Sequence, residues 1–154
     1  MSRILIAIAL TAILTPTARC ADNTTTSHTS AVKIKLTINN ETLTATLADN
    51  RIARDFASLL PLTLTMNDLF GREKFGHLPR AISEEGKRTH TYEIGEIAYW
   101  SPGPDVAIYY RHGGEKIPDP GIIVIGKIDS GVGALNISGS VEVTIKVEPD
   151  SNQK

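Results

Sequence analysis

The chain has 154 residues, a single cysteine and a net charge of −1 at pH 7, with acidic and basic side chains interspersed. That balance, with no basic run interleaved with aromatics, argues against nucleic acid as a partner, and one cysteine excludes an intrachain disulfide. The length suits one domain with one packed core.

Residues 1–20 have the layout of a secretory signal peptide: Arg3, then an apolar run over 4–14 interrupted only by Thr11, then Pro16 and small polar residues. The run falls short of the roughly twenty residues a spanning helix needs. No later segment is longer, so no membrane span is expected. Cys20 allows two fates. Arg19 immediately before it is at odds with a lipidation motif, and Ala18 suits ordinary cleavage, so removal is expected ahead of a lipid anchor at Cys20. Either way the mature chain is expected to be exported, to the periplasm or the medium. Residues 21–31 are polar and aperiodic and read as a disordered leader, 32–148 as the folded domain, and 149–154 as a frayed tail.

Within the domain, Val32 to Ile38 alternates apolar and polar, Asn39-Asn40-Glu41 supplies a turn, and Thr42 to Leu47 alternates again, which predicts a β-hairpin. The period then changes. Ile52, Phe56, Leu59 and Leu60 share a helical stripe, Asp49 or Asn50 can cap it, and Pro61 stops it. Strand alternation resumes over 62–66. Residues 67–80 hold two glycines and a proline without a clean period and read as an irregular excursion or short helix. Further strands are expected over 92–99, 105–110, 121–128 and 139–147. The sum is a mainly β fold, a closed barrel of about eight strands with one or two short helices.

Several phrases carry a family resemblance. Gly103-Pro104-Asp105 with Ile108-Tyr109-Tyr110 resembles the Gly-Pro-Asn turn and Gln-Phe-Phe strand of cyclophilins, and Val124-Ile125-Gly126-Lys127-Ile128 resembles their Val-Phe-Gly-Lys-Val strand. The opening hairpin and helix, with Phe56, match the cyclophilin start. The stretches DLFGREKFGHLPRAIS, GEIAYWSPGPDVAIYY and GIIVIGKIDSG are similar to a small bacterial branch of cyclophilin-like domains. This resemblance implies a cyclophilin-type barrel and carries no assigned activity. The Phe-His-Arg-Ile-Ile-Pro and Gln-Gly-Gly motifs that give cyclophilins their catalytic arginine and supporting glutamine are absent, and the first glutamine is Gln153.

The sequence therefore favours a binding domain for a peptide or small ligand, with Trp100, Tyr110, Phe75, Arg80 and Arg111 as candidate ligand contacts. The alternative is a divergent peptidyl-prolyl isomerase, with Arg80, ahead of Arg72 or Arg111, in place of the missing arginine. A third is a purely structural partner for another envelope protein. Alternation puts Tyr109 and Tyr110 on opposite faces. Arg72-Glu73-Lys74 reads as a solvated loop. His77, His90 and His112 lack metal-ligand spacing, so no metal is expected. No cofactor is expected either, since neither a nucleophile motif nor a phosphate-binding glycine loop occurs.

Overall fold

The computed structural model describes residues 31–114 and 116–149. The segment read as a signal peptide, nearly all of that read as a polar leader and most of that read as a tail lie outside the described residues. Nine strands and one α-helix follow in the order β1 (Lys33–Ile38), β2 (Glu41–Leu47), α1 (Arg51–Ala57), β3 (Leu62–Leu69), β4 (Glu73–His77), β5 (Arg88–Thr89), β6 (Glu96–Trp100), β7 (Asp105–Tyr109), β8 (Ile122–Ser130) and β9 (Val141–Val147), with a 3-10 turn at Val132–Leu135.

All strand pairings are antiparallel, in the order β2-β1-β9-β3-β4-β7-β6-β8, and β2 then pairs with β8 to close the ring. Eight strands form the barrel, and the two-residue β5 lies outside it on β8. Closure leaves no long edge exposed. The β1–β2 turn follows from its asparagines, since Asn39 and Asn40 both take positive φ, as the tight turn of a two-residue hairpin requires. Helix α1 starts where Asn50 accepts a hydrogen bond from the Ala53 amide at 2.8 Å. It buries Ile52, Ala53 and Phe56 in the barrel interior beside Leu36, Met66 and Ile97.

Residues 67–80 depart from the expected irregular excursion: they complete β3, turn, and form β4. The alternation there is hidden in the sequence because charged residues occupy buried positions. Arg72, Glu73 and Lys74 are 3%, 5% and 0% exposed. They are not a solvated loop.

Candidate functional site

Strands β4, β6 and β7 each present one face to the barrel interior and one outward. Tyr99, Ile108 and Tyr110 face inward, whereas Ala98, Ala107 and Tyr109 face outward with Ile122 of β8. The chain beyond β7 folds back and lays Ile117 on this outer face. A second apolar cluster results, separate from the core and flanked by Phe75, Tyr92 and Trp100. Between the returning segment and the sheet lies a cavity of about 410 Å3, lined by Phe75, Trp100, Ala107 and Tyr109 of the sheet, by Ile122 and by Ile117 of the returning segment.

Four charged residues are among its described lining, Arg72, Glu73, Asp105 and Lys116. Burial pushes the Glu73 carboxyl above its ordinary range, against the opposing pull of Arg72 and a hydrogen bond from Tyr109. Arg72 Nε lies 3.4 Å from Glu73 Oε2. Among the described residues no donor hydrogen-bonds Glu73 Oε2. The Arg72 guanidinium also lies 5.3 Å from the Phe70 ring centroid and 5.6 Å from that of Tyr92, within cation–π range. Tyr92 in turn stacks on Tyr109 with centroids 4.0 Å apart. Burial, then the neighbouring Glu73, push the Tyr109 hydroxyl well above its usual range. At the rim, Phe70 is 66% exposed and holds φ at 54°, a left-handed conformation costing on the order of 1–2 kcal/mol for a side chain of this kind. Such strain gathers at functional positions.

On the inward side of β4, Lys74 is surrounded by acceptors. Its ammonium donates to Asp68 Oδ2 at 3.0 Å, to the Gly139 carbonyl at 2.7 Å and to the Ile137 carbonyl. Asp68 also accepts from the Tyr110 hydroxyl at 2.6 Å and the Gly71 amide at 2.9 Å. Burial alone would raise the Asp68 carboxyl, but the bonds from Tyr110, Lys74 and Gly71 outweigh it and hold it below its ordinary value. The Tyr110 hydroxyl is pushed up to about 12, by burial and then by Asp68.

A model of the cyclophilin-like family matches residues 36–146. The chain belongs to that family. Among solved structures, the cyclophilin-like barrel is similar to a hypothetical protein from Archaeoglobus fulgidus, with 19% identity, TM-score 0.61 and coverage of 77% of this chain and 95% of that one. It is also similar to a cyclophilin-type peptidyl-prolyl cis-trans isomerase from Cryptosporidium parvum, with 13% identity, TM-score 0.54 and coverage of 79% and 99%. At these identities the likeness is one of fold. No curated protein matches the sequence significantly.

The candidate residues from the sequence fall in three places on this cyclophilin-like barrel. Phe75 and Trp100 meet in the outer cavity. Tyr110 points inward to Asp68, and Arg111 lies near it beside a shallower depression formed with Asn136 and Ser138. Arg80 is engaged elsewhere, donating to Asp55 Oδ1 at 2.8 Å and Ser58 Oγ at 3.2 Å. The bond from Arg80, followed by the Ser83 amide, holds the Asp55 carboxyl below its ordinary range. Tyr109, Glu73, Ile117 and Phe70 are the cavity residues that sequence reasoning passed over. The opposite faces of Tyr109 and Tyr110 were the signal that could have found Tyr109, because β7 pairs with β6 in a register that puts Trp100 opposite Asp105. Among the described residues no three His, Cys, Asp or Glu side chains form a metal-binding group, and no helix is long and apolar enough to cross a membrane.

Proposed function

We propose that this chain is an exported cyclophilin-like binding domain that seats a peptide or small ligand in the outer-face cavity. The observation that carries the reading is the cavity itself, about 410 Å3 with three aromatic walls. That size lies within the range usual for ligand sites, and rigid rings supply contact area at little entropic cost. Export is supported by the leader-like residues 1–20. Trp100 is the sole tryptophan, so its fluorescence reports on cavity occupancy. Titration with a panel of short peptides, some containing proline, should give a saturable emission change for at least one member. Phe75→Ala should weaken its capture about tenfold. Capture unchanged by calorimetry in both Phe75→Ala and Trp100→Ala, with circular dichroism intact, sinks the reading.

A second reading, a divergent prolyl isomerase, is favoured by one observation: the guanidinium of Arg72 lines an apolar cavity. Isomerisation needs a pocket for the proline ring and a donor near the amide nitrogen, which weakens the resonance behind the roughly 18–20 kcal/mol barrier. Arg80 is committed to Asp55 and Ser58. Accelerated isomerisation of a proline peptide, lost in Arg72→Lys and kept in Arg80→Ala, is the expected pattern; no acceleration by wild type removes this reading.

A further inference from the structure

Among the described residues, three other than glycine take positive φ: Asn39 at 46°, Asn40 at 71° and Phe70 at 54°. The two asparagines form the β1–β2 turn, and asparagine tolerates that conformation with little strain. Phe70 opens the β3–β4 turn and is followed by Gly71 at 60°. Arg72 N donates to the Leu69 carbonyl at 3.2 Å and the Gly71 amide donates to Asp68 Oδ1 at 2.9 Å, which hold the turn in this form. One chain thus meets the same backbone demand with asparagine in one hairpin and with a bulky aromatic in the other. The fold gives the ring little reason to be there. At 66% it is the most exposed of the large apolar side chains described, and a cation–π contact with Arg72 at 5.3 Å contributes less at so exposed a ring than the left-handed backbone costs. What distinguishes the position is that Phe70 lines the outer cavity. Strain held at the edge of a cavity points to a role outside the fold itself.

We infer that Phe70 is a specificity-determining residue of the outer cavity: it stacks on a second apolar group that the ligand carries outside the cavity, and so selects extended ligands with two such groups over ligands with one. This rests on the binding reading above and narrows its ligand class. An apolar group laid on the ring takes its exposed area out of water. An extended peptide with apolar side chains two residues apart meets the requirement, because alternate side chains of an extended chain point the same way.

The test titrates two capped tripeptides, acetyl-Phe-Gly-Phe-amide and acetyl-Phe-Gly-Gly-amide, into the whole protein and follows them by NMR. Wild type should bind the first about fivefold more tightly than the second, with shifts at Phe70, Phe75, Trp100 and Ile117. In Phe70→Asn the two affinities should become equal, while the midpoint of urea unfolding moves to higher urea because asparagine suits the left-handed turn. Phe70→Tyr, which keeps the ring, should keep the preference. A lower midpoint or a failure to fold in Phe70→Asn shows that the ring serves the fold and overturns the inference. A preference that survives in Phe70→Asn, or equal affinities in wild type with shifts at the cavity, overturns it as well and leaves the binding reading standing. Self-association of wild type that Phe70→Asn abolishes reassigns the ring to a second copy of this chain. Saturable binding of neither peptide overturns the inference and the binding reading together.

Discussion

Glu73 and Lys74 are neighbours in one strand, both buried, and they face opposite sides of the same sheet. Inward, Lys74 has three acceptors for its three donors and ties the β3–β4 hairpin to the carbonyls of Ile137 and Gly139. Outward, Glu73 lines an aromatic cavity, yet its Oε2 is itself buried, 3.4 Å from Arg72 Nε, and no donor among the described residues hydrogen-bonds it. The difference separates two uses of a buried charge. A fully satisfied one fixes architecture, since removing either partner strands the other. An incompletely satisfied one is held at a cost in stability that the surrounding packing must offset.

The inner network gives the largest expected effect. Lys74→Met leaves Asp68 and two carbonyls without their donor and should destabilise the fold by about 3–5 kcal/mol, read from urea unfolding. A loss under about 1 kcal/mol would show that water replaces the ammonium and that the inner charge is not architectural. Next comes Tyr110→Phe, which deletes the 2.6 Å bond to Asp68 and should cost about 2 kcal/mol. Its pH dependence has a definite sign. Asp68 is held below its ordinary 3.8, so its contribution is present above that value and is lost as pH falls through the lower, folded-state pKa. With one of its bonds gone, the carboxyl is depressed less, and the variant should lose less stability on acidification than wild type.

Trp100→Ala on the outer face should cost less, about 1–2 kcal/mol, because the side chain is partly exposed and packs against the small outer cluster and not the barrel core. A cost rivalling that of Lys74→Met would make the outer cluster a structural element and remove the contrast between the two faces.

The contrast was legible in the sequence only in part. The opening hairpin and α1 read directly, because alternation, the Asn39-Asn40 turn and the Asn50 cap are local signals and the structure follows them. Barrel closure also followed from many short strands. Residues 67–80 did not read, because a strand carrying Arg72, Glu73 and Lys74 has no apolar alternation. What makes those charges tolerable lies far away in the chain: the acceptors of Lys74 at Ile137 and Gly139 are 63 and 65 residues distant. The site was similarly half visible. Aromatic density and Gly/Pro turns pointed to Phe75 and Trp100, but Ile117 joins them only because the segment after β7 folds back over the sheet. Arg80 looked available until Asp55 and Ser58 of the α1 region came beside it.

The smallest expected effect bears most directly on the outer face. Glu73 is faced by Arg72 from the hairpin turn, by Tyr109 from β7 and, at longer range, by Asp68 from β3. Burial is the dominant influence and raises its pKa above the ordinary 4.5, so the folded state binds the proton more tightly than the unfolded state does. Stability from this group is then fully present below the unfolded pKa and declines as pH rises toward the folded value. Gln does not titrate. The stability of Glu73→Gln relative to wild type should therefore climb as pH rises from about 4 and level off once Glu73 is ionised in both states. Urea unfolding of the two proteins at a series of pH values measures that difference directly. Parallel curves would mean that the carboxylate is as well served as an exposed one, and that the outer charge, like the inner one, is already satisfied.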